Sequence, residues 1–224
     1  MLSTFTLHRG TCFVAHSRRD AQWLSTKFPE AKVQFYPHPL YDHFPPSDNA
    51  LPRRSKLELL FFGLVRPYKG LDVLASTMEE LKGLDVFLTV AGEWWTKDLS
   101  LRDRLLATGQ VEILDSYAPP STVARLFTRA DVVVLPYREA TGSGVLSIAY
   151  HYAKPVIATR TGGFPDVVTD GVSGRLVPPG DPKALASAVR EFLKAPPPGT
   201  PEGVRETAVQ MTWAGLADCV VDIR

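Results

Sequence analysis

Short apolar runs alternate with longer segments of helical periodicity from residue 57 to residue 193 of the 224-residue chain. The apolar runs occupy residues 57–62, 86–91, 111–114, 132–135, 155–159 and 175–177. The helical patterns occupy residues 71–81, 97–107, 121–127, 144–152, 164–168 and 181–193. Strands buried on both faces are apolar throughout, and strands that alternate with helices form parallel sheets. The pattern therefore predicts an α/β chain whose parallel sheet has helices on both faces.

Proline content and periodicity divide the chain into four parts. We predict a strand–helix–strand unit over residues 1–36, a linker with five prolines over 37–56, the main domain over 57–194, and a second linker with a closing helix over 195–224. In the first unit, Ser17 is expected to cap a helix, with Asp20 three residues later. This unit is too small to bury its own core. Either it packs onto the main domain, or it belongs to a larger domain of its own.

The overall charge argues against a polyanionic partner. The formal net charge is +1, so no global field attracts nucleic acid or an acidic membrane. Cys12 and Cys219 do not have the spacing of zinc ligands or of a disulfide framework, which favours a reduced, cytoplasmic setting. No run approaches the ~20 apolar residues of a membrane span, and the first residues do not resemble a signal peptide. Peripheral membrane contact stays open.

The loop after the first strand of the main domain carries two cations. Gly63 ends an apolar run, Arg66 and Lys69 follow, and Gly70 leads into a helix. Open α/β sheets bind ligands at the carboxyl ends of their strands, and cations beside a helix start favour a phosphate or diphosphate. The alternative is a solvated loop whose charges serve only solubility.

Two further loops are rich in glycine and also follow predicted strands. Residues 136–144 contain Glu139 and the run Thr141-Gly142-Ser143-Gly144, and residues 160–166 contain Gly162-Gly163. Glycines let backbone amides approach an anion, although tight turns with Thr141 or Ser143 as ordinary helix caps give the same pattern. Glu139 is the carboxylate best placed to bind sugar hydroxyls, or it is a surface residue. Together, the three loops predict a diphosphate pocket.

Other chemistry has little support in the sequence. The five histidines form no metal-ligand pattern, and His151 is expected to pack within the fold. There is no Ser/His/Asp arrangement and no lysine-bearing P-loop. We therefore predict no metal and no cofactor. Glu93, Trp94 and Trp95 follow a strand and either line the pocket or cover the end of the sheet.

The order of these motifs resembles the C-terminal half of the retaining, family-4 type (group 1) glycosyltransferases, which have the GT-B fold and Rossmann-like domains. The matching residues are 61–70 (FFGLVRPYKG), 90–93 (VAGE), 130–137 (ADVVVLPY), 143–146 (SGVL), 154–163 (KPVIATRTGG) and 170–181 (DGVSGRLVPPGD). The resemblance covers roughly residues 57–194. Residues 11–36 also resemble the end of the N-terminal Rossmann-like domain of these enzymes.

The resemblance implies a nucleotide-sugar substrate and transfer without a divalent metal. Arg66 and Lys69 would be the catalytic residues that neutralise the departing diphosphate. The donor-binding residues would be Gly63, Tyr117, Glu139, Thr141, Gly142, Ser143, Gly144, Val145, Gly162 and Gly163. Tyr117 belongs to the loop expected near the nucleotide base.

Two departures from the family pattern narrow the prediction. An acidic pair that flanks the glycine loop in many members falls at Ala140 and Ile148, and only Glu139 is near enough to replace one of the two. Most of the N-terminal domain, which normally binds the acceptor, has no counterpart in the sequence. We therefore expect the donor-binding part of a glycosyltransferase, incomplete as a lone chain. The alternatives are a non-catalytic nucleotide-sugar-binding subunit that acts with a partner chain, and an epimerase or phosphorylase, whose expected acid/base residues or cofactor lysine we do not find.

Overall fold

The structure reproduces the predicted alternation of strands and helices. The computed structural model describes residues 10–47, 51–95, 100–195 and 200–223. The strands are β1 (Cys12–Ala15), β2 (Lys32–Phe35), β3 (Leu57–Phe62), β4 (Val86–Ala91), β5 (Val111–Leu114), β6 (Val132–Leu135), β7 (Val156–Thr159) and β8 (Gly174–Val177). The helices are α1 (Arg18–Lys27), α2 (Leu71–Glu80), α3 (Ser100–Ala107), α4 (Pro120–Arg129), α5 (Gly144–His151), α6 (Phe164–Val167), α7 (Pro182–Lys194), α8 (Thr200–Ala208) and α9 (Trp213–Asp222).

Six strands form one parallel sheet in the order β5-β4-β3-β6-β7-β8. From the centre of the sheet, β3, β4 and β5 follow one another toward one edge, and β6, β7 and β8 follow one another toward the other edge. The central neighbours β3 and β6 pair with Leu59 beside Val132 and Leu60 beside Val133. The loops that leave these two strands go to opposite sides, which opens a crevice at their carboxyl ends.

The helices cover both faces of this sheet, as the sequence predicts. Alternate residues of β3 belong to two separate cores, with Leu59 and Phe61 in one and Leu60 in the other. The first core includes residues of α2, α3 and α7, and the second includes residues of α4, α5, α6 and α8. Burying one leucine side chain contributes about 1.5–3 kcal/mol, so both layers stabilise the sheet. None of the helices in the described ranges is long and apolar enough to cross a lipid bilayer.

The N-terminal strand–helix–strand unit is a two-stranded parallel sheet whose strands are joined by α1. The Ser17 hydroxyl accepts a hydrogen bond from the Asp20 amide at 3.0 Å, which confirms the predicted cap of α1. Two thiols join this unit to the C-terminal end of the chain. Cys219 Sγ of α9 lies 2.9 Å from the side-chain oxygen of Gln34 in β2. Cys12 Sγ of β1 lies 3.2 Å from the carbonyl oxygen of Ile223. The unit therefore packs onto the last helix.

The described residues of the predicted linker, 37–47 and 51–56, contact the main domain and the C-terminal segment. The Leu40 amide donates to the Met211 carbonyl at 2.8 Å. The Phe44 carbonyl lies 3.0 Å from Nε2 of His151. This contact confirms that His151 is a packed residue. Prolines leave the described residues of this segment without helix or strand, but they do not prevent side chains there from being buried.

The four prolines of residues 194–203 predict that the second linker extends to residue 203, but residues 200–203 begin helix α8. Pro201 lies in the first turn of this helix, where its missing amide costs little. Val204 and Ala208, four residues apart, are buried in the second core. A proline-rich composition concealed this short helical pattern. The first three residues of the helix predicted at 97–107 lie outside the described part of the chain.

A buried ionic cluster lies at the amino-terminal ends of the sheet strands. Arg129, at the end of α4, ion-pairs with Glu112 and lies 3.7 Å from Glu58, and both Arg129 and Glu58 are almost fully buried. Arg54 pairs with the other carboxylate oxygen of Glu112 at 2.7 Å. Burial alone would raise the pKa of Glu112, but hydrogen bonds from Arg129 and Thr89 outweigh it and lower the pKa. Arg129 thus neutralises the buried charge of Glu58 and the partly buried charge of Glu112.

We expect Arg129→Ala to lower the free energy of unfolding by about 3–5 kcal/mol, because it leaves the buried Glu58 carboxylate without its cation. Arg205→Ala, which removes an exposed pair with Glu202 on α8, is the matched control and should change it by less than about 0.5 kcal/mol. Urea denaturation measures both. Similar, small losses in the two variants would contradict a structural role for the cluster.

Candidate functional site

Lys69 is a buried cation at the carboxyl end of β3. After Gly63, whose φ is +94°, the chain turns through a short 3-10 segment at residues 67–69 and reaches Gly70 in the left-handed region, at φ +68°. Lys69 is only 7% exposed. A Cβ atom at Gly63 would lie 2.9 Å from Lys69 Nζ, so the lysine occupies the space that a side chain would need. The two glycines therefore position the amine.

The Lys69 amine has no carboxylate partner within the described residues. Its Nζ lies 5.4 Å from the centre of the Tyr137 ring, whose π face favours a cation. Burial, and next the charge of Arg66, lower the pKa of Lys69 to about 8. Buried charges are ordinarily paired. An amine without a partner is therefore ready to bind an anion.

Arg66 faces a different cavity from Lys69. Its guanidinium lies 4.8 Å from the centre of a Trp95 ring. It lines a cavity of about 550 Å³, the side cavity, whose walls include Val65, Leu71 and Leu101. Lys69 lines the larger cavity, of about 950 Å³, which we call the main cavity. Both cavities are bordered by Tyr68, Arg138 and Glu139, so the two predicted catalytic cations lie on either side of one boundary.

The loop between β6 and α5 forms much of the main cavity. All of residues 137–145 line it, including the predicted Glu139, Thr141, Gly142, Ser143, Gly144 and Val145. Ser143 caps α5, and its hydroxyl accepts a 3.4 Å hydrogen bond from the Leu146 amide. The amides of Gly144 and Val145, in the first turn, have no intrahelical acceptor. A helix start of this kind favours an anion.

The glycine pair of the third loop supports the second loop. Gly162 has φ +54°, and a Cβ there would lie 1.5 Å from the Ala140 carbonyl oxygen. The Gly163 amide donates to the Thr141 carbonyl at 3.2 Å. Neither glycine lines the main cavity, although their neighbour Thr161 does. The structure thus places this pair behind the β6–α5 loop, where it fixes the shape of that loop.

Of the other predicted residues, Tyr117 is 72% exposed and lies outside both cavities. Among the lining residues that the sequence interpretation missed, four lie outside the three predicted loops and α5, namely Arg19 of α1 and Tyr41, His43 and Phe44 of the linker. A signal was present, since three aromatic rings within four residues are unusual in a proline-rich linker. The described residues contain no group of three or more His, Cys, Asp or Glu side chains that could hold a metal ion.

The geometry defines an anion site in an open α/β sheet. It lies at the point where the strand order reverses, and it combines helix-start amides with a buried amine that has no carboxylate partner in the described part of the chain. Phosphorylated ligands bind at this position in such folds.

Comparison with known proteins identifies the family. The sequence model of the group 1 glycosyltransferases matches residues 56–195, and the chain belongs to that family. It is 29% identical over 167 residues to the D-inositol 3-phosphate glycosyltransferase of Mycolicibacterium gilvum, covering 72% of this chain and 37% of that protein. The chain therefore spans less than half the length of this relative.

Solved structures confirm the GT-B glycosyltransferase fold. Sucrose-phosphate synthase from Thermosynechococcus elongatus superimposes with a TM-score of 0.77 at 21% identity, over 95% of this chain and 57% of that one. Anabaena HepE, solved in complex with UDP and glucose, gives a TM-score of 0.73 at 16% identity, over 93% of this chain and 61% of that one. At these identities the likeness shows the fold alone.

We expect pyrophosphate binding to weaken above pH 8. The Lys69 amine is charged below its pKa of about 8 and loses its charge above it. The dissociation constant should then rise by up to about tenfold per pH unit. In Lys69→Arg the dissociation constant should no longer rise between pH 8 and pH 10, because a guanidinium keeps its proton. Titration calorimetry measures both profiles, and an unchanged profile in Lys69→Arg would refute the assignment to Lys69.

We expect Gly162→Ala to cost more stability than an alanine at an open position with similar backbone geometry. Gly83 has φ +84° and no atom within 4 Å of the place that a methyl group would take, so Gly83→Ala should cost only the left-handed backbone, about 1–2 kcal/mol. Gly162→Ala must also displace the Ala140 carbonyl, which adds about 1–3 kcal/mol. Urea denaturation compares them. Equal losses of unfolding free energy in the two variants would show that the contact between Gly162 and the Ala140 carbonyl does not contribute to stability.

Proposed function

We propose that this chain is the donor-binding part of a retaining glycosyltransferase, which transfers a sugar from a nucleotide-diphosphate sugar to an acceptor. The observation that carries the proposal is the buried Lys69 amine without a carboxylate partner among the described residues, close to a loop whose amides are open to an anion. Family membership supplies the reaction class. Retention of configuration rests on the resemblance of the motifs to retaining enzymes.

Lys69 would stabilise the charge that develops on the departing diphosphate. The amine is already in place and largely shielded from water, so its interaction with the leaving oxygen requires little reorganisation. An anion beside it favours the protonated form, and binding of the donor should therefore raise the pKa of Lys69 above its value of about 8. The amides of Gly144 and Val145 would bind the phosphate oxygens from the other loop.

Arg66 would reach the same diphosphate from the side cavity. Both cavities meet at Tyr68 and Glu139, so a nucleotide that extends across this boundary would contact both cations. With two cations and the helix-start amides, the site could stabilise the leaving group without a divalent metal. The Glu139 carboxylate would accept hydrogen bonds from sugar hydroxyls. A contact between Tyr117 and the base stays a prediction, as does cytoplasmic location.

A second candidate is a nucleotide-sugar-binding subunit that acts only with a partner chain. Within the described residues, β1 and β2 pair only with each other, so their outer edges are open to further strands. A separate Rossmann-like chain that adds strands there would supply the acceptor-binding half. Transfer to a defined acceptor by the purified 224-residue chain would exclude this candidate. Activity only after addition of a second chain would support it.

We expect Lys69→Ala and Arg66→Ala each to weaken binding of UDP or GDP by about tenfold or more, since each removes a charge-assisted contact to phosphate. Lys82→Ala, which removes an exposed lysine just after α2, is the control and should bind like the unchanged protein. Calorimetry with both nucleotides measures the affinities. Unchanged affinity for the better nucleotide in both site variants would rule out the diphosphate assignment.

A further inference from the structure

Three linker residues give the main cavity an aromatic wall. Tyr41, His43 and Phe44 all line the cavity, and we call them the aromatic wall. The His43 and Phe44 rings stack with their centres 4.6 Å apart. The Tyr41 ring meets both of them edge-on, at 5.6 Å and 6.4 Å. The three rings therefore form one continuous surface.

Contacts on both sides of the wall hold it in place. Just before it, Leu40 is hydrogen-bonded to Met211 at 2.8 Å. At its end, the Phe44 carbonyl lies 3.0 Å from Nε2 of His151 on α5. Tyr41 and Phe44 also pack on the second core. The rings are thus fixed relative to the helix whose first turn faces the cavity.

The wall lies beside the start of α5. A Cβ atom at Gly144 would be 2.8 Å from Cε2 of Tyr41 and 3.2 Å from its hydroxyl. Within the described residues, that hydroxyl has no hydrogen-bond partner. The sugar of a nucleotide sugar is bonded directly to the second phosphate. A diphosphate held by Lys69 and the α5 amides therefore brings its sugar next to Tyr41.

Part of the remaining lining suits a sugar ring, while the cations Arg19 and Arg138 also line the cavity. Ala140, Val145 and Ile148 contribute apolar surface, and Glu139 is the single carboxylate among the described lining residues. A pyranose has C–H groups on its faces and hydroxyls around its rim. Aromatic rings pack against such C–H faces, while the hydroxyls need polar partners.

We propose that the aromatic wall is the subsite for the donor's hexose, with Tyr41 and His43 in contact with the sugar ring. The inference rests on the proposed function, because it needs a diphosphate between Lys69 and α5. In many family members an acidic pair would bind the sugar, but this chain has Ala140 and Ile148 at those two positions. The inference assigns that role to the linker.

The test is the affinity that the sugar adds to the nucleotide. Calorimetry with the full chain measures dissociation constants for UDP, UDP-glucose, GDP and GDP-mannose, and the ratio of nucleotide to nucleotide-sugar constants is compared between variants. Tyr41→Ala and His43→Ala should each lower this ratio about three- to tenfold for the preferred donor, with little change for the nucleotide alone. Tyr41→Phe keeps the ring and should stay within about twofold of the unchanged protein. Trp23→Ala removes an exposed ring on α1 outside both cavities and should change nothing.

The outcomes separate the subsite from the proposed function. If none of the four ligands binds the unchanged protein, the proposed function fails and the subsite fails with it. If a nucleotide binds but its sugar adds no affinity, or if the ratio is unchanged in Tyr41→Ala and His43→Ala, only the subsite is overturned. An equal loss for nucleotide and nucleotide sugar also overturns it. His43 is exposed, so His43→Ala decides the question should Tyr41→Ala not fold.

Discussion

The pairing of β3 with β6 at the centre of the sheet determines where every other part of the site lies. The chain adds β4 and β5 on one side and β7 and β8 on the other, so the two central loops diverge and leave a crevice between them. Gly70 at the end of the first loop approaches the Pro136 carbonyl so closely that a Cβ would lie 2.0 Å from that oxygen. The crevice is therefore closed at its base by backbone contact, which keeps its walls at a fixed separation.

Burial of the charged Lys69 amine lowers the stability of the folded state. A buried amine without a carboxylate loses hydration, and its lowered pKa records that loss. At the opposite edge of the sheet, the buried Arg129 is paired with Glu58 and Glu112. Among the described residues, the same sheet thus contains a cation paired with carboxylates and a cation without a carboxylate partner. The difference fits a structural role for the first and a ligand-binding role for the second.

The linker contributes more to the cavity than its composition suggests. Prolines keep residues 37–47 and 51–56 out of regular structure, and hydrogen bonds to α5 and to the residues before α9 fix the position of the first of these two stretches. Tyr41, His43 and Phe44 reach the cavity because these contacts hold the segment beside the start of α5. The binding surface is therefore assembled from three parts of the chain, although the family motifs come from one.

The sequence by itself determined the parallel α/β fold, the order of its elements and the three loops at one sheet edge, because apolar periodicity and glycine spacing are local properties. It also predicted Lys69, Arg66 and the loop at residues 136–144 as parts of the site, and their roles stay predictions. Only the tertiary structure showed that Gly162 and Gly163 support a neighbouring loop, that Arg66 and Lys69 face different cavities, and that the linker lines the main one. These are contacts between residues far apart in the chain. They depend on how layers pack, and no local pattern records that packing.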